Sequence, residues 1–188
     1  MTTARLRADE LVSGAAEAAA LGALRDVTGR MDGPMERHCL RAFVMAERLA
    51  GPGCDREALL CAALLHDIGA YPAASRGGVY VTDGRVFAGE LLARFDWPPR
   101  RLQLALDAIE LHHRLDSQAG RGAEVEALRR ADLVDVTAGL VSAGLPRPWL
   151  RGLFTAVPRD GFWRELGALV ASFLRERPAT LPAIFTAG

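Results

Sequence analysis

The sequence predicts an all-α domain, and three observations carry that expectation. Apolar residues recur at helical spacing, as in Leu60, Ala63, Leu64 and Ile68. No segment alternates apolar and polar residues over any length. Glycine- and proline-rich breaks (MDGP at 31–34, GPG at 51–53, GLPRP at 144–148) divide the chain where helices of ordinary length end. At 188 residues the chain is expected to form one domain, 1–188, with enough apolar surface for a single core.

The first helix is expected from about Ala8 to Arg25, where ELVSGAAEAAALGALR offers an apolar face. Pro34 suits the first turn of a second helix that runs to about Leu49, with Phe43, Val44 and Ala46 at apolar positions. Asp55 is a good N-cap for the third helix, and Glu57 lies in its first turn. After Gly69 the stretch AYPAASRGGVYVTDGR reads as a long loop with turns at Gly-Gly and Asp-Gly and a short extended piece at VYVT. Such loops are often lids or binding loops, so Tyr71 and Tyr80 are candidates to contact substrate. A short helix is expected at Gly89–Phe95, another from Pro98 or Pro99 to about Arg114, and one that continues to Gly144. Two C-terminal helices within 146–176 pack on the motif-bearing core at about 34–140.

Composition excludes several classes. Half the residues are hydrophobic, and the formal net charge is zero, which favours neither nucleic acid nor an anionic membrane. All 23 basic residues are arginines, so side-chain Schiff-base chemistry is excluded and any anion clamp must use arginine. Cys39, Cys54 and Cys61 show neither an even count nor CxxC spacing, which argues against a disulfide frame or a zinc knuckle. MTTARLRADE has no signal-like apolar region, and no apolar run reaches the ~18 residues of a membrane span. The expected setting is the reduced cytoplasm. The expected partner is a small-molecule substrate, with a homo-oligomer admitted but not required.

The chemistry gathers on the histidines. His66-Asp67 closes the apolar helix ALLCAALLHDIG, with His38 upstream and His112, His113 and Asp132 downstream. A carboxylate at the C-terminal end of a buried helix is disfavoured by the helix dipole and by burial, unless a cation compensates it. Neutral imidazoles with carboxylates suit a divalent first-row metal, or magnesium at the harder end. A lone histidine is more often a core or surface residue, so the weight lies on the ordered set.

That set resembles the HD superfamily of metal-dependent hydrolases. RHCLRAFVMAERLA, EALLCAALLHDIG, DAIELHH and LRRADLVDV are all similar to that family's helices. The resemblance implies that His38, His66, Asp67 and Asp132 bind one divalent metal (zinc, manganese, iron, cobalt, nickel or magnesium), with Asp67 also taking part in catalysis. Asp135, three residues on, is the reserve ligand or an outer partner that orients a histidine. His112 follows Ala108-Ile109 as in the family's helix, which implies a catalytic contact with substrate or a second metal. His113 lies about 100° further round that helix and is either site wall or surface. Arg41 is a candidate anion clamp, as are Arg37, Arg76 and Arg114.

The resemblance puts hydrolysis first, most plausibly of a phosphoester. Nucleotide-cleaving relatives carry an acid shortly after His-Asp, and Ile68, Gly69, Ala70 and Tyr71 supply none. The segment from VFAGELLARFDWPP to AIELHH looks more like the cyanamide-hydratase-like branch, which makes hydration of a nitrile-type substrate the alternative. Dinuclear relatives carry a further histidine before DAIELHH. VFAGELLARF has none, leaving Glu90 as its candidate substitute and disfavouring a dinuclear iron oxygenase. A non-catalytic helical scaffold is the remaining alternative, against which the intact ligand set argues.

Overall fold

The computed structural model describes residues 5–186; residues 1–4 and the last two residues lie outside that range. Among the described residues every regular element is helical. The elements that position the site are α1 (Ala15–Thr28), α2 (Pro34–Ala50), α3 (Arg56–Leu65), α4 (Tyr80–Leu92), α5 (Pro99–Leu111), α6 (Ala123–Val136), α7 (Arg147–Ala156), α8 (Phe162–Glu176) and α9 (Leu181–Ile184). None is long and apolar enough to cross a membrane.

α2 and α3 form the centre. Pro34 opens α2, whose missing N–H would have had no intrahelical partner there. Met35, Cys39, Leu40, Phe43 and Ala46 of α2 are buried, and α2 packs most extensively along α6. Asp55 caps α3 by accepting from the Ala58 N–H at 3.2 Å. Every residue from Ala58 to Leu65 is buried, because α1, α2 and α5 all pack on α3. A helix that is apolar all round belongs in such a place.

Three expected boundaries are corrected. The first helix is broken, with a 3-10 turn at Ala8–Glu10 before α1. The buried Glu17 carboxylate draws in the Ser13 and Gly14 N–H groups at 2.5 and 3.1 Å, which starts α1 there. The sixth helix stops at Val136, where Ala138 and Gly139 take φ of 55° and 77°.

The third correction bears on the site. VYVT is not extended: α4 begins at Tyr80, and the Asp83-Gly84 pair lies inside it rather than at a turn. Asp83 accepts from the Arg76 and Gly78 N–H groups at 2.8 and 3.2 Å, so a first-turn carboxylate gathers the preceding loop onto the helix. Glycine at both contact positions lets α4 cross the end of the His-Asp segment closely. A Cβ on Gly69 would stand 2.1 Å from the Tyr80 carbonyl oxygen and 2.4 Å from the Gly84 nitrogen. That approach delivers Tyr80 to the ligand cluster.

Candidate metal centre

Three helices converge on one buried point. α2 presents His38, the end of α3 presents His66 and then Asp67, and α6 presents Asp132. His38 Nε2 lies 3.0 Å from His66 Nε2, 3.4 Å from Asp132 Oδ1 and 3.5 Å from Asp67 Oδ2. His66 Nε2 stands 3.4 Å from Asp67 Oδ2 and 3.8 Å from Asp132 Oδ1. These are the edge lengths of a coordination polyhedron whose bonds are about 2.0–2.2 Å.

The hydrogen positions follow from the partners. His38 Nδ1 meets Asp135 Oδ2 at 2.7 Å, and His66 Nδ1 meets the Ala63 carbonyl at 2.8 Å. Ionised carboxylates and carbonyls only accept, so both rings carry hydrogen at Nδ1. In neutral rings both Nε2 atoms are then lone pairs, aimed at one another and at two carboxylate oxygens. Such a set repels itself unless a cation sits among it. His38, His66 and Asp132 form one group able to hold a metal ion, and His66, Asp67 and His112 form a second.

Protonation in the absence of a cation tells the same story. Burial opposes a charge on His38, but Asp132, Asp135 and Asp67 outweigh it and hold its pKa well above the usual value. Burial drives His66 down to about 4, so this ring stays neutral. Asp67 and Asp132 stay ionised: burial would raise both, yet the facing histidines hold them low. A proton on His38 Nε2 therefore occupies the place a metal would take.

His112 ends α5 and donates from Nδ1 to the Ile109 carbonyl at 2.6 Å, which in the neutral ring puts the lone pair on Nε2. That nitrogen lies 3.4 Å from Asp67 Oδ1 and 3.4 Å from the Tyr80 hydroxyl. Tyr80 donates to Asp67 Oδ1 at 3.3 Å. His113 faces Asp132 Oδ2 through Nδ1 at 3.3 Å, which places it at the site wall rather than on the surface. Together His112, His113 and Asp132 make a third group with metal-ligating spacing.

Asp135 stands outside the four-atom cluster as the partner of His38, and burial would raise its pKa, but Arg41 and His38 lower it to about 2. Behind it, Arg41 donates from Nε and Nη2 at 2.7 and 2.8 Å.

Three expectations are corrected by placement. Arg41 is fully buried with its guanidinium committed to Asp135 and to the Pro158 carbonyl, so it orients the site and has no face for substrate. Glu90 is largely exposed and paired with Arg76, away from any second metal position. Tyr71 turns from the cluster and donates to Glu165 on α8 at 2.5 Å. One neighbour carried no signal in the sequence: Phe162, at the start of α8, stacks on His38 with ring centroids 4.7 Å apart.

The family model described as HD domain matches residues 35–138, which spans all of these ligand candidates. The chain belongs to the HD domain family. The matched HD region begins within α2 and ends just past α6, so α8 and the C-terminal turns lie outside it. Neither the curated proteins nor the solved structures contain a match to this HD chain.

Proposed function

We propose that this HD protein is a metal-dependent hydrolase acting on a small molecule, with His38, His66, Asp67 and Asp132 holding one divalent cation. The supporting observation is the 3.0 Å approach of two imidazole Nε2 atoms whose Nδ1 positions are already spent. Zinc, manganese, iron, cobalt, nickel and magnesium all suit the donor set. When bound, such a cation supplies Lewis acidity, lowering the pKa of coordinated water and polarising an electrophile.

The chain's own residues account for the rest. Asp135 and the Ala63 carbonyl hold the two liganding rings in the required tautomer and orientation. His112 carries a lone pair at the edge of the cluster, where it can take and return a proton. Tyr80 orients Asp67 by a hydrogen bond. Phosphoester cleavage and water addition to a nitrile-type carbon both use these parts and differ in the charge the substrate brings. The setting we assign is the reduced cytoplasm, which three free thiols suit.

A second reading, a dinuclear centre, is favoured by the grouping of His112 and His113 with Asp132. Elemental analysis of protein purified without chelator or tag metal tests both. About one equivalent, lost in His66→Ala together with turnover, supports the first reading. About two equivalents support the second, and a protein that takes up no divalent metal overturns both.

A further inference from the structure

Beside the cluster lies a pocket of about 270 Å³. Asp67, Tyr80 and His113 form its inner end. Leu169 and Phe173 of α8, with Leu181 and Ile184 of the C-terminal turns, form its walls. It is therefore an apolar chamber that reaches the candidate metal centre at the Asp67–His113 edge, and its outer wall comes from beyond the HD match.

We infer that this chamber is the substrate pocket and that it takes a small, uncharged, largely apolar molecule rather than an anionic phosphoester. The inference rests on reading the cluster as the reaction site. Among the described residues no arginine lines the chamber, and the chain has no lysine. Arg37 binds the Asp160 carbonyl, Arg76 binds Glu90, and Arg114 binds Asp116 and the Thr186 carbonyl. Arg41 and Arg159 gather on Asp135, at the Nδ1 side of His38. Asp67 and Asp132 already balance the charge of one divalent cation, so the cation itself brings no surplus positive charge to an entering phosphate. Desolvating a phosphate monoester against leucine and phenylalanine is costly without a paired cation. An uncharged ring meets no such cost: a cavity of roughly 150 Å³ holds benzene, so this one admits a ring with a short electrophilic substituent.

Benzonitrile and phenyl phosphate share a ring and differ in charge. Calorimetric titration of the metal-loaded protein should show benzonitrile binding at least ~10-fold more tightly than phenyl phosphate. Leu169→Arg places a cation in the wall and should reverse that order; if it does not fold, Val170→Arg on the partly exposed side of the same wall replaces it. Phenyl phosphate binding equal to or tighter than benzonitrile, no binding of either, or benzonitrile binding indifferent to the new arginine would each overturn the inference. Benzonitrile held in the chamber of a protein that takes up no metal would instead sink the hydrolase reading and leave the pocket assignment standing.

Discussion

His38 Nε2 and His66 Nε2 face each other at 3.0 Å although both rings already donate from Nδ1, to Asp135 and to the Ala63 carbonyl. Two neutral imidazoles do not choose that arrangement. Either a proton or a metal ion lies between them, and the surrounding carboxylates favour the higher charge.

Metal removal should therefore lower thermal stability. The cluster ties α2, α3 and α6 together, and an ion that binds only the folded chain stabilises it by mass action, about 2.7 kcal/mol at a hundredfold excess over Kd. Melting curves before and after chelation, with metal content verified, check this. An unchanged midpoint would mean that the site and the fold are uncoupled.

Asp135→Asn should weaken metal binding about 10- to 100-fold, since the outer partner sets the His38 tautomer and basicity. It should also destabilise the fold by about 3–5 kcal/mol, because Arg41 would be left buried without its carboxylate. Metal titration and chemical denaturation separate the two effects. Retained affinity with lowered stability would restrict Asp135 to a structural role.

His112→Ala should keep one metal while losing ~10²-fold or more in turnover, the usual loss for a positioned proton-transfer group. A fall in metal content together with activity would point to the dinuclear reading. Little change in activity with lower stability would reduce His112 to packing.

Gly69→Ala should be destabilising by about 1–3 kcal/mol or more, because its Cβ would collide with backbone of α4 rather than with a side chain that could turn aside. The variant should also displace Tyr80 from Asp67. Thermal unfolding measures the first effect. A neutral Gly69→Ala would show that α4 does not bear on the His-Asp segment as described.

Acid should destabilise the metal-free chain within a definite window. The pKa of Asp135 falls from 3.8 to about 2 on folding. The sign is that of a depressed carboxylate: its stabilisation is present above the unfolded value and is lost as pH drops through about 2. That change corresponds to about 2 kcal/mol. His38, shifted upward, acts oppositely near neutrality but is protonated in both states below pH ~5, so it does not mask the loss. Urea midpoints from pH 5 to pH 2 should fall accordingly, and a flat profile would contradict the buried pairing.

Much of the fold was legible because helical periodicity is local. The starts of α2, α3 and α5 follow from Pro34, Asp55 and Pro99, and the two C-terminal helices α7 and α8 fall within the expected 146–176. α4 was not, because its glycines and its VYVT start argue against a helix locally, and only the crossing over Gly69 makes Gly84 advantageous.

By itself, the sequence determined an all-α chain of the HD family, and it supplied, in His38, His66, Asp67 and Asp132, histidines and aspartates that fall in groups able to hold a metal ion. Their types and order are written in the chain, and burying such donors demands compensation wherever they meet. The tertiary structure decided what surrounds them. It turned Arg41 from a candidate clamp into the counterion of Asp135, sent Glu90 to the surface and Tyr71 to Glu165, and brought Tyr80 and His113 to the cluster. It also walled the adjoining pocket with α8 and the C-terminal turns. These outcomes depend on which helix face meets which across distances of up to about a hundred residues, and side-chain direction at that range is set by packing rather than by local periodicity.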